Sequence, residues 1–392
     1  MSHFNATQKR IISTGSAIIS LRTLGIFFSL PVFTIYGYEF SSSPLMVGLA
    51  LGSYGITMAL FQYPMGRLSD RIGRKYVIFI GMMPFIVGNL ICWNPVNIYG
   101  LIAGRLIAGS GAVSSTVSAM VQENVDENQR NFAMAMIGIP VGLSFLFGTL
   151  LGPIIGAAFG IRWIFFITAV AGMISMASVM FINPSLKKIR EGTRGKLNFN
   201  HLLMAGSGLF ISAYMAYFYF HLPLVSEKFL PVSDFYEFLL PSLFIAGVVA
   251  VLSSILADRG KFKIVAVGSV IILAASAPFV LFLSASGLYY LFFGSTLFFI
   301  GYALYDIAFP PLVSRLSSTG YYGSGLGIFN SFQYGGQFVG GLYAGAVLSL
   351  YSNNFVSSLN ALLIICMLFL SGVTIMFSGQ PPEPVSIWLA VM

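Results

Sequence analysis

The ten residues Gly66-Arg67-Leu68-Ser69-Asp70-Arg71-Ile72-Gly73-Arg74-Lys75 carry four cations and one anion, and the runs on either side are almost free of charge. A charged side chain in hydrocarbon costs at least ~2.5 kcal/mol, so this knot must lie in water. It reads as a tight loop at a membrane surface, joining a helix that ends near Gly66 to one that begins near Tyr76. The flanking runs are then membrane crossings, since lipid admits only segments that satisfy their backbone groups internally. Hydrophobic residues make up 57% of the chain and charged residues 8%, with a mean hydropathy of +0.87. An ordinary globular chain carries about 25% charged residues. At about 20 residues per crossing, the 392 residues hold about twelve crossings and no large soluble domain.

The spans are expected over 12–38, 45–66, 76–93, 97–121, 131–157 and 161–183, and again over 199–222, 236–257, 262–284, 288–313, 321–350 and 354–378. The first contains Arg22 and lacks a small-residue cleavage site, so it reads as a retained span and not a signal peptide. Between the two groups lies the longest charged, breaker-containing stretch, from Asn183 to Lys196, close to the midpoint. This divides the chain into an N-terminal six-helix bundle (1–183), a basic cytoplasmic linker (184–198), a C-terminal six-helix bundle (199–379) and a short tail (380–392). Cys92 and Cys366 stand alone inside apolar runs, without metal-ligand spacing, and read as small buried residues.

Basic residues set the orientation, because cytoplasmic loops retain Lys and Arg. With the N-terminus inside, 16 of the 20 basic residues fall on the cytoplasmic side, Arg162 and Lys228 fall outside, and Arg22 and Arg105 fall within spans. Both termini are then cytoplasmic, in a multi-pass protein of the cell (plasma or inner) membrane. The net charge of +8 needs no nucleic acid to explain it; a basic inner face beside anionic lipid suffices. Aligning Asp70-Arg71 with Asp258-Arg259 fixes an offset of 188 residues, which also places Gly148 on Gly336 and Gly152 on Gly340. One offset joining two separate features favours two related halves.

The pattern Gly66-x-x-x-Asp70-Arg71-x-Gly73-Arg74-Lys75 resembles the signature loop of the major facilitator superfamily of secondary transporters. Leu24-Gly25 with Pro31-Val32 is similar to the first-helix pattern of its drug:proton antiporter branch. Arg105 with Gly109 and Gly111 resembles the family's buried-arginine motif, although Ala108 stands where a glutamine is common. Gly148-x-x-x-Gly152-Pro153-x-x-Gly156 looks like the motif that marks exporters, with Ala157 replacing its last glycine. Together these resemble a group of efflux proteins of the YajR type, over essentially the whole chain.

The resemblance implies an all-α fold of twelve helices in two pseudo-symmetric bundles. It also implies that Asp70 meets the start of the eleventh span, so that Asp70, Arg71 and Arg74 latch the halves together on the cytoplasmic face in the outward-open state. Physically, Gly66 admits a close helix and Asp70 can accept bonds from exposed amides at a helix start. A positive-inside anchor without a switching role is the alternative. Glycines four apart share a helix face and Pro153 bends the helix, giving either a pliable seam between halves or ordinary small-residue packing.

Charges inside the spans are Arg22, Arg105 and Asp306, in the first, fourth and tenth. These helices, with the seventh, line the central cavity in the family fold. Arg22 and Asp306 both lie roughly 14 Å from the same side at ~1.5 Å per residue, so they can face each other. Burial disfavours a charged carboxyl and a nearby cation favours it, so Asp306 is expected to carry the proton, with Arg22 and Arg105 tuning it. A static Arg22 to Asp306 ion pair is the alternative. The aromatic run Tyr214 to His221, including Tyr217, suits an apolar or cationic organic substrate or an interfacial belt. Gln62, Tyr305, Gln333 and Gln337 are candidates to line the path, or to act as glue between helices.

There is no Walker loop, no His-Glu-x-x-His, no Cys/His cluster and only three histidines, so an enzyme is not expected. No span carries a lysine in its interior for a retinal-type receptor. The expected function is proton-coupled efflux of small organic or drug-like compounds by a monomer, with a proton gradient and no cofactor or metal. An importer or facilitator of another solute on the same fold is the alternative.

Overall fold

The computed structural model describes residues 4–126, 129–182, 199–280, 286–316 and 322–350. The expected linker, the twelfth span at 354–378 and the tail lie outside these residues. Among the described residues, thirteen α-helices follow in chain order. Helix α1 (Ala6–Ser29) opens on a capping box, in which Gln8 N donates to Asn5 Oδ1 at 2.8 Å and Asn5 N to Gln8 Oε1 at 3.0 Å. Pro31 sits in a 3-10 turn (Leu30–Val32) leading to α2 (Phe33–Tyr38), so the first crossing is a jointed helix. Then come α3 (Pro44–Ile72), α4 (Arg74–Trp93), α5 (Ile98–Ser110), α6 (Ser114–Asn124), α7 (Arg130–Phe159) and α8 (Arg162–Met180). The second half comprises α9 (Phe199–Ser226), α10 (Tyr236–Leu256), α11 (Phe262–Pro278), α12 (Leu288–Leu316) and α13 (Tyr322–Leu350).

Among the described residues nine helical segments are long and apolar enough to cross a membrane. The fourth expected span fails that test because it is broken: α5 and α6 have 13 and 11 residues. The eleventh, α13, is rich in glycine, serine and glutamine. Spans α1, α9 and α12 are the most buried, whereas α7 and α10 are the most apolar and least buried, as expected of central and lipid-facing helices respectively. A continuous apolar cluster runs between the halves, from Phe33 and Phe165 through Tyr219 and Phe298 to Phe329.

The charged knot is not the loop expected from the sequence. Helix α3 continues through Arg67, Asp70 and Arg71 to Ile72, and the turn is one residue, Gly73, at φ 102°. The reason is local: charged residues are good helix formers once clear of lipid, and a glycine in the left-handed region turns the chain alone. The α10–α11 turn uses Gly260 at φ 82°, one residue off the 188-residue register.

The repeat extends to packing. In α7, a Cβ on Gly148 would stand 2.7 Å from Phe27 Cβ and 3.1 Å from Leu24 O, and one on Gly152 would overlap Phe28 O, all on the first crossing. In α13, Gly336 and Gly340 press in the same way on the backbone of Leu209 and Ala213 in α9. The fifth span thus packs on the first as the eleventh packs on the seventh. Gly148 and Gly152 therefore serve a seam within the N-terminal half, not the seam between halves that was one reading of the sequence.

Candidate functional site: a central cavity between the halves

Arg22 of α1 is buried and satisfied without a carboxylate. One nitrogen donates to Gly111 O, the carbonyl at the end of α5; the other donates to Tyr54 Oη at 3.1 Å and lies 3.6 Å from Met58 Sδ. Its guanidinium stands 4.7 Å from the Phe85 ring centroid. A cation on the last carbonyl of a helix meets the negative end of its dipole, so Arg22 caps α5 where the fourth crossing breaks. Arg105 of α5 lies between the rings of Phe33 (5.0 Å) and Tyr54 (4.9 Å) and donates to Leu51 O at 3.4 Å. Tyr54 therefore serves both buried arginines, by hydroxyl to one and ring face to the other.

Asp306 stands on the other wall, in α12, exposed although it lies deep in its span. Tyr219, Tyr302, Tyr305 and Tyr334 lie within electrostatic reach of it. Arg22 and Asp306 are not joined in an ion pair; Tyr334 of α13 is the residue on which both act. Tyr305 Oη accepts from Gln333 Nε2 at 2.7 Å, and its ring packs 4.4 Å from Phe309. Gln337 packs at Gly55, its Cβ 3.1 Å from where a Cβ there would be. Tyr217 is buried beside His221 and Tyr343, with ring centroids 6.1 Å away in each case, so it packs inside the protein and not in an interfacial belt. Gln62 is buried against α6, accepting from Ser115 Oγ at 3.1 Å.

The halves are joined on the side away from the charged knot. Thr149 Oγ1 and Tyr219 Oη are 3.1 Å apart, joining α7 to α9, and Phe145 packs on Phe299 and Tyr302 of α12 at 6.2 and 5.9 Å. Beside this plug, α3 and α13 meet backbone to backbone: a Cβ on Gly52 would lie 2.7 Å from Phe338 O, and one on Gly341 2.8 Å from Gly48 O. About four turns further along α3, a Cβ on Gly66 would find, among the described residues, only Ser115 Oγ within 4 Å, at 3.9 Å. Among the described residues, no helix of the other half stands against Gly66.

On that face the contacts of the signature residues with other described residues lie within the N-terminal half. Arg74 Nη2 pairs with Asp70 at 2.6 Å and Glu123 at 2.5 Å, and Arg74 Nε donates to Glu123 Oε2 at 3.2 Å. Arg74 also donates to Ser69 Oγ. The side chains of Arg74 and Glu123 are 8% and 6% exposed, against 61% for Asp70, so the Arg74–Glu123 pair is the buried core of this clasp. Lys75 Nζ donates to Met180 O at 3.0 Å, at the end of α8, and Arg71 is exposed. Pro153 lies inside α7, and Gly156 faces Ile161 and Ile164 across the α7–α8 turn.

Four participants were not singled out in the sequence. Glu123 sits just past the expected end of its span and was not counted among intramembrane charges. Tyr54 and Tyr334 were hidden among many tyrosines. The run Gly48-x-x-x-Gly52-x-x-Gly55 was visible, but its spacing alone does not name the partner helix.

Comparison with known proteins accords with this architecture. The family model of the Major Facilitator Superfamily matches residues 15–341. The chain is 32% identical to the inner membrane transport protein YajR of Escherichia coli over 366 residues, 88% of this chain and 79% of that one. It is 29% identical to an uncharacterized transporter of Buchnera aphidicola, over 86% of this chain and 89% of that one. A shorter match, 31% over 147 residues, is to a putative multidrug resistance protein MdtD of Pectobacterium carotovorum, covering 37% of this chain and 32% of that one. Among solved structures, a bacterial homolog of the human lysosomal transporter Spinster superposes with TM-score 0.77 at 13% identity, over 97% of this chain and all of that one. The human organic anion transporter MFSD10 does so with TM-score 0.68 at 15% identity, over 94% of this chain and all of that one. The match across most of the length, on an all-helical membrane fold, places the chain in the Major Facilitator Superfamily, as a transporter and not an enzyme.

Proposed function

We propose that the protein exports small organic compounds in exchange for protons by alternating access, with Asp306 as the proton carrier and the face bearing Arg67, Arg71 and Lys75 in the cytoplasm. The observation that carries this reading is the setting of Asp306, a carboxylate exposed in a cavity ringed by tyrosines while both buried arginines are committed to other partners. A carboxyl so placed changes protonation as its access to water and its distance from Arg22 change. The likeness to a protein named for multidrug resistance, MdtD, supports export of organic compounds.

Alternation requires the plug to part and the basic face to close. In the closed form, Asp70 leaves solvent to accept from the amides at the start of α13, Gly66 receives that helix, and Arg71 and Arg74 complete the latch. Anionic lipid favours the basic face, and one chain forms the working unit.

Inside-out vesicles with an acid interior, followed by a pH dye while cationic, neutral and anionic compounds are added, test this reading. Compound-triggered proton release is expected in wild type and is lost in Asp306→Asn. Uptake into right-side-out vesicles that ignores the pH gradient would replace it with a facilitator.

A further inference from the structure

The fourth crossing is interrupted near its middle. Helix α5 ends at Ser110, Gly111 leaves helical geometry at φ −74° and ψ 48°, and α6 restarts at Ser114 for 11 residues. The two new helix ends are treated differently. The carbonyl end of α5 is capped by Arg22 on Gly111 O, whereas the amide end of α6 has no side-chain cap, its N-cap being Val113. The first amides of a helix have no partner within it, and the dipole there favours an anion. Discontinuous helices place such ends at substrate sites in transporters.

A second, independent observation lies on the same turn. Gln62 of α3 is 2% exposed, its Oε1 accepts from Ser115 Oγ at 3.1 Å, and its Nε2 donates to nothing. Thr116 Oγ1, in the first turn of α6, is also buried without a partner. A buried donor left unpaired costs about 1–3 kcal/mol, and these two have no acceptor among the described residues. Ser114 and Ser115 are half-buried, and Tyr334 of the opposite half hydrogen-bonds Ser114, which puts this turn on the cavity between the halves. No carboxylate is bonded to Arg22 or Arg105 behind it, so the wall is positive.

We propose that the first turn of α6, with the amide of Gln62, binds an anionic group of the transported compound, a carboxylate or another oxyanion. This rests on the reading of the cavity as the transport path and names the substrate class it takes. The acidic end of the compound and the proton site at Asp306 occupy different walls.

The test is titration calorimetry of the full chain in lipid nanodiscs with three probes: naphthylalanine, its N-acetyl derivative, and its methyl ester, which lacks the carboxylate. Both carboxylate-bearing probes are expected to bind about tenfold more tightly than the ester, one charge-assisted hydrogen bond being worth that much. Gln62→Leu should reduce the advantage to less than about threefold, and the isosteric Gln62→Glu should reverse it while eluting as a single species. An ester that binds as well as the acids, no binding by any probe, or an acid preference unchanged in both variants would overturn the site. Proton release lost in Asp306→Asn would leave the proposed function standing after any of these results. Its persistence alongside a Gln62-dependent acid preference would remove the proton role and keep the anion site.

Discussion

The two halves touch along two seams related by the internal repeat, and the seams are built in opposite ways. On one side α3 and α13 meet through glycines: Gly48, Gly52 and Gly55 face Gly341, Phe338, Tyr334 and Gly345 with no side chain of α3 between the backbones. On the other side the counterpart helices α10 and α7 touch lightly, and closure falls to side chains, with Phe145 and Thr149 of α7 reaching α12 and α9 while the far end of α7 meets the turn Val232–Asp234. Backbone contact at van der Waals distance tolerates no inserted atom, whereas rings can change rotamer and repack. The glycine seam is thus suited to be the pivot and the aromatic seam the gate.

The strongest way to break that contrast is to add a side chain to the pivot. In Gly48→Leu the new Cβ overlaps Gly341 O and lies 2.9 Å from Gly345 Cα, so the helices must part. More than about 3 kcal/mol of stability should be lost, seen as a large fall in Tm. Gly138→Ala is the matched control, because a Cβ there meets nothing within 4 Å. It should stabilise by about 0.5 kcal/mol through helix propensity alone. If both variants melt alike, the seam does not bear on the fold.

Glu123→Gln comes next in size. It leaves buried Arg74 with Asp70, which is mostly in water, and should cost about 2 kcal/mol, below the usual cost of breaking a buried pair because one partner remains. Chemical denaturation measures it. The gate should respond less: Phe145→Ala removes two ring contacts across the halves, and Thr149→Val removes the bond to Tyr219. Each should cost about 1 kcal/mol. Phe145→Ala should also let a thiol reagent added from the far face reach a cysteine placed at Thr149, which Gly48→Ala should not.

Much of this was legible in the sequence because membranes restrict what a chain can do. Span positions, the repeat offset and the three intramembrane charges follow from hydropathy and from the cost of charge in lipid, and eleven expected spans find helical counterparts in the described residues. What was not legible is which polar group each charge meets. Arg22 and Asp306 share a depth, which lets them face each other; yet Arg22 turns to the carbonyl of Gly111, where the fourth crossing is broken. Glycine, alanine and valine at that break carry no signal that distinguishes them from packing residues. The sequence leaves the glycines of α7 between two readings for a related reason, since periodicity gives a face but not the neighbour beyond it.

The smallest expected effect concerns the ends of the two seams on the face away from the charged knot. Glu39, just past α2 and before α3, has its pKa raised by partial burial, with Arg162 pulling the other way; Glu227, just past α9, is raised by burial. A carboxyl whose folded pKa lies above its unfolded value binds more protons when folded, so its contribution is fully present below the unfolded pKa and is lost as pH rises through the folded one. Both side chains are exposed, and solvent screens the effect. Stability should therefore fall slightly as pH climbs through the carboxylate range and above it. Glu39→Gln and Glu227→Gln should each flatten part of that slope in Tm measured across pH. The Glu39 share should be the more salt-dependent, since a charged partner acts on it. If Glu227→Gln alone flattens the slope, the pH response belongs to the α9 side that carries the gate, and the pivot end is insensitive to pH.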